Sequence, residues 1–259
     1  MKRARRAQLP AVGTVRDACR LENQSGPLAS VWLTALPSER QGTVLSDPEF
    51  RGLCRYWLGV PLLPMGRTLP PCPACGKAVD PFGDHFVTCM SNGCTERHNE
   101  LRDALSALMA KARVAHEVEA GDGTGRRPAD LLLKHFSGGR DVAVDITITS
   151  CMHVAEHPLD ARKAKVFLAK AEKDKIRANV ASCTRMNWEC RGLAFSPWGG
   201  SGPAASALVR NLLDRATVDE TGWPKQRARQ ELACQLAFAL VRRVAKQLDM
   251  RRRVGDLLA

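Results

Sequence analysis

The sequence predicts an α/β fold from three features of its 259 residues. "RPADLLLKHFSGGRDVAVDITITS", Arg127 to Ser150, reads as a β-hairpin turned at Ser137 to Gly139. "RGLAF", beginning at Arg191, reads as a further short strand leading into a glycine-rich turn. Stretches before, between and after these strands carry apolar residues at helical spacing.

In chain order, the first twenty residues are basic and aperiodic, which predicts a flexible arm able to touch nucleic acid or serve as a nuclear address. Two short helical stretches follow, divided by Pro37 and closed by Pro61 and Pro64, with Trp32, Leu33, Leu36, Phe50, Leu53 and Trp57 as expected core. A segment rich in Cys, Gly and Pro runs from Cys72 to Cys94. "RHNELRDALSALMAKAR" then resumes a helix, with Leu101, Leu105, Leu108 and Met109 on one face. Beyond the hairpin, a lysine-rich helix is expected over roughly 159–182. After the short strand comes another helix, and a last one begins near Gln226, with Leu232, Leu236, Leu240, Val244 and Leu248 on one stripe and arginines around the rest.

A formal net charge of +12 favours a polyanionic partner, because each phosphate neutralised by Lys or Arg releases a condensed counterion. Of ten cysteines, four fall in one short window and the others are scattered, unlike a secreted disulfide framework, so a reducing intracellular setting is expected. "MKRARRAQLP" has no apolar run behind its charges, and no segment is long and apolar enough to predict a membrane span.

"CPACGKAVDPFGDHFVTC" sets Cys72 and Cys75 two residues apart and closes with His85 and Cys89. A C-x2-C turn aims two thiolates at one point, and a closed N/S set of four suits structural Zn2+, leaving no position for a reacting water. Cys94 and His98 are possible substitutes in this set, although His98 stands at the beginning of a helix.

The hairpin carries two aspartates where apolar residues would be ordinary. On its second strand Val142, Val144, Ile146 and Ile148 face one way, and Ala143, Asp145, Thr147 and Thr149 the other. A proline followed closely by Asp130, then Asp145 on the neighbouring strand, is the skeleton of a Mg2+-dependent phosphodiesterase site, where rigid strands fix metal-binding carboxylates. A nearby lysine would stabilise developing negative charge. Among the helix lysines, Lys175 falls in the small-residue stripe of Ala164, Leu168, Ala171 and Ala178, whereas Lys163, Lys170 and Lys173 lie opposite. Glu119 is a possible third carboxylate, with a loop surface position as the simpler reading.

The order Cys72, Cys75, His85, Cys89, then "RHN" at 97–99, "RPAD" and "DITIT", resembles the carboxy-terminal part of non-LTR retrotransposons that carry a restriction-enzyme-like endonuclease, and of related reverse-transcriptase-associated reading frames. The likeness runs over nearly all of the chain beyond the arm. It implies a zinc knuckle before a PD-(D/E)XK core: a restriction-endonuclease-like α/β fold with a mixed central sheet flanked by helices. It also implies metal-binding acids at Asp130 and Asp145 and a catalytic lysine from the following helix, since Thr147 stands where the usual lysine would be. "AEKDKIRAN" matches the family pattern at Ala171, Glu172 and Lys175 and departs from it at Ala178 and Asn179, where Lys and Tyr are expected.

The expected divisions are a basic arm over 1–20, a helical linker over 21–66, a CCHC knuckle over 67–97, the endonuclease core over 98–215, and a basic amphipathic helix over 216–259. The expected activity is Mg2+-dependent nicking of DNA in the nucleus, with DNA and the element's RNA as partners and no membrane. The alternatives are a decayed nucleic-acid-binding module and an interaction protein stapled by zinc. Reverse transcription is excluded as this chain's chemistry, because it contains no Asp-Asp pair to hold two metals.

Overall fold

A computed structural model describes residues 14–26, 28–152 and 161–256, with backbone alone at 161–165. Residues 1–13 of the expected arm and the side chain of Lys163 lie outside the described residues. The elements are α1 Val15–Asn23, a 3-10 turn Val31–Thr34, α2 Asp47–Leu58, α3 Asp84–Thr88, α4 Cys94–Lys111, β1 His116–Ala120, β2 Ala129–Ser137, β3 Arg140–Ile148, α5 Ala161–Arg185, β4 Glu189–Phe195, α6 Pro203–Ala216, α7 Gly222–Leu248 and α8 Met250–Asp256. The strands form one mixed sheet, ordered β1-β2-β3-β4: the first two pairings are antiparallel and β3–β4 is parallel. Among the described residues no helix is long and apolar enough to cross a membrane.

Alternation along the strands divides the two faces. Leu131, Leu133, Val142, Val144, Ile146, Leu193 and Phe195 pack with α4, α6 and the first half of α7, and all four residues expected on the α4 face are buried there. On the other face Leu132, Ala143 and Ala129 meet Cys183 of α5 in a smaller cluster. A second core gathers on the far half of α7, where Phe238, Val241, Val244 and Leu248 pack with Trp32, Leu53, Tyr56 and Trp198. The last helix is therefore buried over a broader arc than its leucine stripe suggested, because α7 serves two cores from two sides.

Several expectations need correction. Residues 15–20 are helical, started by a Thr14–Asp17 capping box, and Arg16 of this supposed arm forms a buried bidentate pair with Asp84 at 2.7 and 3.0 Å. Trp32 and Leu53 are buried as expected, but Leu33, Leu36 and Phe50 are exposed: the 3-10 turn before Pro37 leaves the leucines outside, and α2 turns Tyr56 inward beside Leu53. Strand β1 was not anticipated, since "HEVEA" buries only Ala120 and owes its extended form to pairing with β2. Ala178 is exposed, and the inward face of α5 runs through Glu172, Lys175, Ile176, Asn179 and Cys183. Leu168, Ala171 and Lys175 of the expected stripe are half-buried, but the face is rotated away from Ala178 toward a polar member: the Glu172 carboxylate accepts from the Ala204 and Ala205 amides at the start of α6.

Candidate active site and metal cluster

Asp130 and Asp145 stand opposite each other, one register step beyond the Leu131–Val144 pair, on the face covered by α5. Their side chains are 19% and 15% exposed, enough to reach solvent at the end of the sheet where β2 begins and β3 ends. Asp130 Oδ1 lies 3.0 Å from His98 Nε2, and Asp130 Oδ2 accepts from the Ile146 amide at 2.6 Å. Lys175 Nζ donates to Asp145 Oδ1 at 2.9 Å, and Asn179 Nδ2 donates to Asp145 Oδ2. The two carboxyl groups lie close enough for each to shift the other's titration.

Their electrostatics diverge. Burial acts to raise both groups, but for Asp130 the bonds from His98 and the Ile146 amide outweigh it, and the carboxyl is held below the ordinary carboxylate range. For Asp145 burial prevails over Lys175 and is reinforced by Asp130, so the carboxyl is pushed up. Two neighbouring carboxylates repel unless a proton or a cation lies between them, and that is a condition that favours binding of a divalent ion. Beside them opens a groove of about 450 Å³, lined among others by His98, Lys175, Thr147, Thr95 and Met90.

Lys175 reaches Asp145 because of a glycine. Gly192 of β4 pairs with Asp145 across the parallel register. A Cβ on Gly192 would fall 2.2 Å from the Glu172 carbonyl oxygen and 2.9 Å from Lys175 Cβ, so the bare backbone admits α5 at close range. The exposed Lys170 and Lys173 take no part in this contact, and Glu119, on β1, is occupied by Arg102 and Arg127.

Cys72, Cys75, His85 and Cys89 offer ligand atoms within 4.8 Å of one another and could hold a metal ion such as zinc. The Cys72–Cys75 turn closes through Gly76 N to Cys72 O at 2.8 Å. His85 is aimed by Asp80, whose carboxylate accepts from the Phe82, Asp84 and His85 amides. The two substitute ligands are used elsewhere: His98 pairs with Asp130, and Cys94 donates to the Cys89 and Val87 carbonyls. One residue joins cluster and groove. Arg97, 3% exposed, donates to Val87 O at 2.8 Å and to Gln247 Oε1 at 2.7 Å, with His98 as its neighbour in sequence.

Sequence reasoning missed His98 and Asn179 as partners of the two acids. The signals were present, in "RHN" opening α4 and in the four-residue step from Lys175 to Asn179, but only the folded sheet brings them to the aspartates. The sequence matches no protein-family model and no curated protein.

Proposed function

We propose that this chain is the knuckle and endonuclease segment of a retroelement-type protein, with a restriction-endonuclease-like core that binds DNA and nicks it by Mg2+-dependent hydrolysis. The observation that carries the reading is the pairing of Asp130 with Asp145 on adjacent strands, with Lys175 at 2.9 Å, beside a groove open to solvent. Asp130 and Asp145 would hold Mg2+, which when bound polarises a phosphate and lowers the pKa of a water. His98 and the Ile146 amide fix the orientation of Asp130. Lys175 neutralises Asp145 while the groove is empty and turns its charge toward the phosphoryl oxygens when a phosphate enters. A zinc ion held by Cys72, Cys75, His85 and Cys89 would fix the entry to α4 and so support His98.

One observation favours the second reading, a decayed binding module. Both oxygens of Asp145 are already engaged, by Lys175 and by Asn179, and Asn179 stands where the family pattern expects a tyrosine. The deciding experiment is nicking of supercoiled plasmid with Mg2+, with EDTA, and with Asp145→Ala. Mg2+-dependent nicking that Asp145→Ala abolishes, with DNA binding retained, is the expected result. No nicking by the wild type or by Ala178→Lys with Asn179→Tyr, in folded, zinc-loaded protein, would establish the binding module instead.

A further inference from the structure

Away from the groove, α2 and α8 meet at a cavity of about 390 Å³ whose lining includes Arg51, Arg55, Arg251 and Arg252, together with Asp47 and Gly52. It shares no lining residue with the groove beside Asp145. Among the described residues these four arginines form ion pairs with two carboxylates: Asp47, 3.4 Å from Arg51, and Asp249, 2.9 Å from Arg252 and 3.8 Å from Arg251. Two positive charges are left over, and packing like charges together is unfavourable unless an anion joins them.

The arrangement is built rather than incidental. Arg251 is 15% exposed and is anchored from Nη1 to Leu248 O at 3.0 Å and from Nη2 to Pro48 O at 2.7 Å. The guanidinium lies over the bare backbone of Gly52, where a Cβ would come within 2.4 Å of Arg251 Nη1 and make it shift. Burial, with the charges of Arg252 and Arg55, pushes the Arg251 pKa down against the pull of Asp249. Arg51 and Arg252 remain 76% and 51% exposed and free to turn, and their ion pairs with Asp47 and Asp249 are of the surface kind that a phosphate readily displaces.

We propose that this α2–α8 cavity is a second phosphate-binding site that takes backbone phosphates of nucleic acid flanking the stretch held in the groove. It rests on the nucleic-acid part of the function proposed above but not on cleavage. The two sites are tied through one short piece of chain: Gln247, four residues before Arg251, bonds both Arg97 of the groove and Asn92 beside the metal cluster. Planar guanidinium groups, with that of Arg251 anchored, suit phosphate oxygens better than amines would.

The test uses the full chain and a duplex, followed by fluorescence anisotropy over a range of salt. Arg51→Ala with Arg252→Ala should weaken binding about tenfold near 0.1 M salt and lower the slope of log affinity against log salt by about 1 to 2. Arg113→Ala with Arg227→Ala removes the same charge from two other exposed ion pairs and should change both quantities little. Gly52→Ala keeps the net charge, displaces Arg251, and should weaken binding several-fold, as expected for a built site. The maximal nicking rate at saturating duplex should be unaltered in all of them. An equal loss in the Arg113/Arg227 control would overturn the proposal, leaving only general charge. Binding of inorganic pyrophosphate at the cavity, with duplex affinity unaffected by the variants, would overturn it in favour of a small anion. A wild type that binds duplex without nicking it sinks the endonuclease alone, whereas one that binds no duplex sinks both.

Discussion

The sheet half and the knuckle half of this molecule are held together by different means, although one helix runs through both. In the sheet half, long elements bury continuous apolar faces, and Leu131, Leu133, Val144, Leu105 and Leu212 are all fully enclosed. In the knuckle half, short pieces separated by Pro and Gly bury a small cluster of Leu63, Phe86, Met250 and Val254 and send Leu62 and Val87 into the second core. There, single polar ties add to a thinner packing: Arg16 to Asp84, Arg97 to Val87 O and Gln247, and the four candidate ligands at one point. A region with few apolar contacts leans more on each of its polar ties than a sheet core does on any one of its own, so loss of the metal-ligand tie should loosen the knuckle half first.

The largest effect is therefore expected from the metal. With zinc held at Cys72, Cys75, His85 and Cys89, chelation, or Cys72→Ser with Cys75→Ser, should remove about 10 kcal/mol, the order expected of a structural zinc. Hydrogen exchange should then accelerate over 62–97 and 250–256 while β2 and β3 keep their protection, and simultaneous loss in the strands would dissolve the distinction between the halves. Next, within the sheet half, Asp145→Ala should cut Mg2+-dependent nicking by about 10³-fold or more while thermal stability holds, because the change removes a carboxylate that burial already disfavours. Calorimetry and a plasmid assay on one sample separate the two.

Trp198 tests the seam. It leaves the loop after β4 and enters the second core, 1% exposed and stacked on Tyr56 at 4.9 Å, so Trp198→Ala should cost about 3 to 5 kcal/mol in denaturant unfolding. If the knuckle half alone loosens, the halves are separable units, and if a single transition shifts, they fold together. Gly192→Ala should cost about 1 to 3 kcal/mol by overpacking α5 against β4, and should lower nicking more than stability because Lys175 moves with the helix.

The smallest effect concerns acid. Asp122 is held well below its ordinary value of 3.8 by the Thr124 and Ser182 hydroxyls and the Thr124 amide, with Arg185 at 2.8 Å. A carboxyl lowered in this way adds stability above its ordinary value and loses it as pH falls through the folded value. The β1–β2 connection and the end of α5 should loosen first in acid, and Asp122→Asn should flatten that limb of a stability-against-pH curve.

The sequence by itself determined what is local or repeats along the chain. Alternation in β3 placed Asp145 on the face opposite Val144, helical spacing marked the buried side of α4, and the C-x2-C step with His85 and Cys89 marked the ligand cluster. Each follows from covalent geometry over a few residues, so no distant partner is needed to read it. The tertiary structure alone decided which distant groups meet: His98 at Asp130, Asn179 at Asp145, Arg16 at Asp84, and the four arginines around Gly52. It also made "HEVEA" a strand through β2 and kept Leu36 outside the core. Such meetings rest on close packing between elements far apart in the chain, where a missing Cβ at Gly192 or Gly52 sets the distance, and local spacing carries no record of it.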